Sequence, residues 1–176
     1  MKFAAFIRGI NVGGHNVIKM EDLKAIFLQL GYTDINTVIQ SGNVSFESEE
    51  TDLMTIRKKI EQALFHHFET PIAVKILPFT AVQSLAKDCP FESEKVEKGQ
   101  HLAIIFLIDP PTKKAVENVM AHNSEADVVF AAHKNRLYAK YFVLQSESQW
   151  SGNFLEKMLN VPVTIRKLSV VEKLCV

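Results

Sequence analysis

The chain reads as α+β, two tandem ferredoxin-like βαββαβ units with antiparallel sheets. Three observations predict this. Strand-period and helix-period apolar patterns follow one another in the order β-α-β-β-α-β over residues 1–80, and the same order recurs over 101–176. In each half, two short runs rich in β-formers are split by turn residues, which is a hairpin signature. Between the halves, residues 81–100 read as a short connecting helix and a charged linker.

The elements follow in order. Lys2 to Arg8 alternates as a strand, with Phe3, Ala5 and Ile7 on one face and Ala4, Phe6 and Arg8 on the other, so both faces are largely apolar and the strand is expected to be central. Met20, Leu23, Ile26, Phe27 and Leu30 recur at helical spacing, Glu21 and Asp22 suit the first turn, and Gly31 ends the helix. Thr37–Gln40 and Val44–Ser48 form the expected hairpin around Ser41-Gly42-Asn43. Leu53, Ile56, Ile60, Leu64 and Phe68 mark one face of a long helix from Asp52 to Glu69, and Ile72–Leu77 is the next strand.

Thr80–Lys87 reads as a short helix, and Glu92–Gln100 is charged with almost no apolar residues. Leu102–Ile108 is then an apolar strand, and Asp109-Pro-Pro opens a helix through about His122. Val128–Ala132 and Leu137–Tyr141 make a second hairpin around Lys134-Asn135. A helix from Ser151 buries Phe154, Leu155, Met158 and Leu159, a strand covers Val163–Arg166, and Ser169 to Glu172 has the spacing of a capped last helix.

With 20 basic and 20 acidic side chains among 176 residues, composition gives no general support for nucleic acid or membrane binding, so any anion site must be local. No apolar run spans a bilayer, and the stretch before Arg8 is too short for a secretory signal. Cys89 and Cys175 are too few and too far apart for a zinc site or a disulfide framework. A cytoplasmic protein is expected. Neither a cofactor nor a metal is predicted, since His66-His67 point to different helix faces and the remaining histidines are dispersed.

The chemistry concentrates in Arg8-Gly-Ile-Asn-Val-Gly-Gly-His-Asn-Val-Ile-Lys19, which holds three of the seven glycines. A strand-to-helix turn with such freedom can aim amide N–H groups at an anion. It carries neither the Lys-hydroxyl pair of a P-loop nor a GxGxxG fingerprint. What remains is a candidate ligand site of Arg8, Asn11, Gly13, Gly14, His15 and Lys19, whose donors suit a phosphate or carboxylate. Antiparallel geometry brings the end of the first strand to the start of the third, which adds Ser41 and Asn43 to the set. For each group the alternative is structural: a tight βα connection, and a hairpin turn chosen for Gly and Asn.

His15 is the candidate catalytic residue, because imidazole titrates near neutrality, but no acid or cysteine in the cluster completes a triad. Trp150, Tyr138 and Tyr141 could form a stacking platform for RNA, although no aromatic run marks the third strand and core packing explains them better. Arg166-Lys167, Arg136 and Lys140 could extend a basic surface, with solvated charges as the plain alternative.

Phe6-Ile-Arg-Gly-Ile-Asn-Val-Gly-Gly with Lys19-Met20, Leu30-Gly31-Tyr32 and Ile39-Gln-Ser-Gly-Asn43-Val44 resemble an uncharacterised bacterial family of domain-of-unknown-function proteins that begins with an RGINVGG signature. The likeness extends through Cys89-Pro90-Phe91, where such proteins often show Asn-Pro-Phe, to Thr164-Ile-Arg166 and Val171-Glu172-Lys173-Leu174. Where the family usually has Arg-Asn and an aromatic, this chain has Arg166-Lys167-Leu168, so only Arg166 transfers. The resemblance implies a small cytoplasmic α+β protein and no particular activity. The readings are therefore a protein that binds a small anionic ligand at the glycine loop, an enzyme using the same pocket with His15 as acid or base, and an interaction or nucleic-acid-binding module; oligomeric state is left open.

Overall fold

The strand β1 (Lys2–Ile7) runs antiparallel to both of its neighbours, and the first half of the chain is assembled around it. The computed structural model describes residues 1–91, 96–124, 126–134, 136–144 and 147–175. They divide into two compact units, Met1–Gln83 with the residues from Lys173 onward, and Ser84–Glu172.

In the first unit β1 leads to α1 (Met20–Gln29), β2 (Thr33–Val38), β3 (Asn43–Glu47), α2 (Leu53–Phe68), β4 (Val74–Pro78) and the short α3 (Phe79–Gln83). The sheet order is β2-β3-β1-β4, the ferredoxin-like arrangement. Alternation along β1 sends Phe3, Ala5 and Ile7 into one core with Leu23, Ile26 and Phe27 of α1 and Ile56, Ile60 and Leu64 of α2. Asp52 caps α2 by accepting from the Thr55 N–H at 2.8 Å, and Glu69 ends it in the left-handed region.

The second unit repeats the plan with β5 (His101–Leu107), α4 (Lys113–Met120), β6 (Val128–His133), β7 (Arg136–Tyr141), α5 (Gly152–Leu159) and β8 (Val163–Lys167), and α6 (Leu168–Leu174) follows, its residues from Lys173 counting with the first unit. Its order is β6-β7-β5-β8, with β5 in the place of β1. The predicted α+β class with two βαββαβ units and antiparallel sheets is the observed one. Of the expected charged stretch Glu92–Gln100, Glu92 to Lys95 lie outside the described residues, as does Asn135 of the expected Lys134-Asn135 turn.

One hairpin differs from its expected bounds. β2 starts at Thr33 rather than Thr37, because Asp34 takes a positive φ of 47° and the register shifts between Thr33 and Asn36, which interrupts the alternation that identifies a strand. At its other end Ile39 has φ 50°, so Ile39 and Gln40 belong to the turn, and Asn43 opens β3 opposite Phe6.

Tyr141 and Trp150 are buried in the second core, and the Tyr141 hydroxyl donates to the Trp150 carbonyl at 3.0 Å. Tyr138 is also buried and donates to the Leu85 carbonyl at 3.2 Å, so these aromatics pack rather than form an open platform. Lys140 and Arg166 are buried too, which removes them from any exposed basic surface. The Arg166 guanidinium donates to Thr164 Oγ1 at 2.7 Å, and burial draws its pKa down to about 10, still charged at neutral pH. Arg136 and Lys134 both bond the Asp88 carboxylate at 2.7 Å. Among the described residues no helix is long and apolar enough to cross a membrane.

His101, buried at the start of β5, stacks on Tyr141 with ring centroids 4.8 Å apart, and among the described residues its Nε2 has no hydrogen-bond partner. Burial, reinforced by Lys167, lowers its pKa below the ordinary value. The unfolded chain therefore binds this proton first, so the stability that neutral His101 confers is complete above the unfolded pKa of about 6.5 and is lost as pH falls through the lower folded value. Thermal melts read at Trp150 fluorescence are expected to shift downward between about pH 7 and pH 5, and the shift is expected to be smaller in His101→Phe, which keeps the stack and removes the titration.

Candidate functional site

Where β1 ends, the chain is held on both sides: the Ile7 N–H donates to the Gly42 carbonyl at 2.8 Å and the Arg8 N–H to the Ala73 carbonyl at 3.0 Å. Gly9, with φ 66°, then turns the backbone out of the sheet. The excursion is anchored at two points by Ile10 and Ile18, which are both buried in the first core.

Between these anchors the polar residues hold the loop together. Asn11 sits at φ 54°, a region that asparagine tolerates better than most residues. Its Nδ2 donates to the Ile18 carbonyl at 3.0 Å and to the Gln40 carbonyl at 2.8 Å, while its Oδ1 accepts from the Ile18 N–H at 2.9 Å. Both amide donors are thus used within the protein, and one of them joins the loop to the β2–β3 turn. The Asn11 N–H donates to the Asn16 carbonyl at 3.2 Å, and Asn16, at φ 47°, returns a bond to the Gly9 carbonyl at 3.1 Å.

The tip is a tight turn. Gly13 and Gly14 have φ of 59° and 78°, and the His15 N–H closes on the Val12 carbonyl at 3.0 Å, a pattern of two positive φ values that suits paired glycines. Added Cβ atoms would meet nothing within 4 Å at Gly14 and only the His15 ring, at 3.9 Å, at Gly13. The amides of Gly13 and Gly14 take no part in the closing bond.

The structure thus brings the two predicted groups together, through Asn11 to Gln40 and Ile7 to Gly42, and gives their members different settings. His15, Lys19, Gly13 and Gly14 are exposed, and Arg8 is half-buried. Asn43 is only 1% exposed; its amide donates to the Val38 carbonyl and to Ser41 Oγ, both at 3.0 Å, so Ser41 and Asn43 close the hairpin turn. No aspartate, glutamate or cysteine among the described residues is bonded to His15, and no group of three or more such residues with histidine is placed to hold a metal.

Gly42 is required twice. Its φ is 73°, and a Cβ there would lie 2.8 Å from Ile10 Cδ1 and 3.0 Å from Ile7 Cβ. Sequence reasoning counted Gly42 only as a turn residue, and nothing short of the fold brings Ile10 against it. It also missed that Asn11 and Asn16 occupy positive-φ positions, a use for which asparagine is suited. Val12, Val17 and Ile39 are exposed, although aliphatic residues ordinarily signal core.

Arg8–Lys19 separates β1 from α1, whereas the equivalent connection between β5 and α4, Ile108–Thr112, is less than half as long. The α1 N-cap is Lys19, which makes no side-chain capping bond, while Asp52, Thr112 and Ser151 each cap α2, α4 and α5. Glu21 and Asp22 in the first turn of α1 meet part of the helix dipole instead.

A family model described as protein of unknown function, DUF1697, matches residues 1–138, a span that includes the loop, the turn that Asn11 bonds and most of the second unit's first three strands. The chain belongs to the DUF1697 family. The likeness seen at Thr164–Arg166 and Val171–Leu174 lies beyond the matched residues. No curated protein matches the chain. Among solved structures, the conserved bacterial protein SP0830 from Streptococcus pneumoniae is similar, with a TM-score of 0.74 and 22% identity over 99% of this chain and 96% of that one. At that identity the likeness shows the shared fold.

The packing around Gly42 gives a direct test of this corner. Gly14→Ala, which only forces a side chain into the left-handed region, is expected to cost about 1 kcal/mol. Gly42→Ala adds overpacking against Ile10 and Ile7 and is expected to cost about 2–4 kcal/mol, both read from urea denaturation midpoints. Equal effects at the two glycines would show that Ile10 yields freely.

Proposed function

We propose that the Arg8–Lys19 loop of this DUF1697 protein binds a small anionic or phosphorylated ligand. The observation that carries this is the loop's excess length: the same fold makes the same connection through Ile108–Thr112 in the second unit, so the longer form is not a requirement of the topology. The charge on the loop decides the class of ligand. Arg8, His15 and Lys19 lie on it, and no acidic residue occurs from Met1 to Met20 or from Ile35 to Phe46. Charge-assisted bonds from Arg8 and Lys19 and N–H groups of Gly13 and Gly14 supply the attraction.

Asn11 is the positioning residue in this reading, with Ser41 and Asn43 behind it, since their amides and hydroxyl are engaged within the protein. The bonded frame keeps the loop in shape before a ligand arrives, which lowers the entropy lost on binding. We also propose a cytoplasmic location, supported by the chain's having only two cysteines, Cys89 and Cys175, far apart in the sequence and without a CxxC pair.

Titration with inorganic phosphate, pyrophosphate, nucleoside phosphates and small carboxylates, followed by amide chemical shifts, is expected to perturb Gly13, Gly14 and Lys19. Affinity is expected to fall about ten-fold or more in an Arg8→Ala, Lys19→Ala double variant. Absence of binding across this panel, or binding unchanged in the double variant, overturns the reading.

A further inference from the structure

The anion-binding corner also exposes aliphatic residues that a free anion would not use. Val12 is 60% exposed, Val17 67% and Ile39 49%. Asn11 ties their backbones together: Val12 follows Asn11, Val17 lies between the Asn16 and Ile18 that Asn11 bonds, and Ile39 precedes the Gln40 whose carbonyl accepts from Asn11. All three are β-branched and so lose little side-chain freedom when covered. Ile39 in addition holds a φ of 50°, a conformation that β-branched residues rarely adopt.

We infer that the anion recognised here is presented by a protein partner, as an acidic side chain within a segment that also carries apolar side chains, and that those apolar groups cover Val12, Val17 and Ile39. The inference rests on the anion-binding reading above and names its partner class. Charge complementarity selects an acidic occupant, because Arg8, His15 and Lys19 flank the aliphatic residues in a stretch without Asp or Glu. Apolar surface beside a charged rim is the usual composition of a protein-binding patch. Nucleic acid fits less well: residues 8–19 and 38–43 contain no Phe, Tyr or Trp on which bases could stack. The same absence, and only two Lys or Arg residues in these stretches, disfavours an anionic lipid surface.

The test uses the full chain and a random peptide library displayed on phage, followed by affinity measurements on the recovered peptides. Recovered sequences are expected to combine Asp or Glu with aliphatic or aromatic residues, and replacing those apolar residues by serine is expected to weaken binding about ten-fold. Ile39→Asn should weaken the same peptides by a similar factor while raising the melting temperature, since asparagine is better suited to the left-handed region, so loss of binding in it is not loss of fold. Val12→Ser with Val17→Ser provides the second arm.

Peptide affinities unchanged in both variants, or peptides that bind as well without apolar residues, overturn the inference while leaving phosphate binding, and with it the anion reading, intact. Loss of phosphate and peptide binding together in the Arg8→Ala, Lys19→Ala variant supports the shared site. Preference for single-stranded RNA or for phosphatidylserine vesicles over every recovered peptide overturns the choice of partner.

Discussion

The antiparallel register that sets Phe6 of β1 against Asn43 of β3 decides where two loops leave the first sheet. Because β1 ends and β3 begins at the same edge, the backbone beyond Ile7 and the turn before Asn43 emerge side by side, and the Ile7 N–H reaches the Gly42 carbonyl. A shift of one residue would turn Phe3, Ala5 and Ile7 out of the core, so hydrophobic alternation protects this register. The position of the candidate site is thus a by-product of how the core is filled. Asn11 then converts proximity into a joint, since one side-chain amide bonds both the loop's own return at Ile18 and the neighbouring turn at Gln40.

Most of this architecture was legible in the order of residues. Helical spacing of Leu23, Ile26 and Phe27, and of Ile56, Ile60 and Leu64, marks faces that reach the core, because periodicity reports burial directly. The placing of Ser41 and Asn43 beside the end of the first strand followed from strand direction alone. What escaped was local conformation that periodicity does not encode. Asp34, which lies outside the expected strand Thr37–Gln40, and Ile39, which lies within it, both take positive φ, so the bounds of β2 differ from those expected. The roles of Asn11 and Gly42 escaped for a related reason: each depends on a partner many residues away, Gln40 for one and Ile10 for the other.

The duplication within the chain separates what the fold needs from what this corner adds. Both units close the same strand order, both place an antiparallel pair at the centre, and both bury one face of two helices. Yet α4 starts from a short proline-containing connection capped by Thr112, and α1 from a long, asparagine-bonded loop ending in an uncapped lysine. The strand order is the same in the two cases, so topology does not explain the difference.

The distribution of backbone irregularities leads to the same corner. Glu69 and Asn160 take positive φ as helix caps, Asp34 at a strand irregularity and Lys134 where β6 gives way to β7, all positions where such a conformation ends or bends an element. Asn11 and Asn16 do none of these things, and Ile39 ends β2 as Lys134 ends β6 but does so with a β-branched side chain. They shape two adjoining loops, and at Ile39 the left-handed region is held by a residue type that disfavours it by about 1–2 kcal/mol. An exposed isoleucine in that conformation helps neither the core nor the turn, and asparagine would serve the turn better. Its presence in the turn that Asn11 bonds, with exposed Val12 and Val17 and an uncapped Lys19 on the bonded loop, gathers several departures from folding preference in two joined loops, the pattern expected where a surface is shaped for recognition rather than for stability.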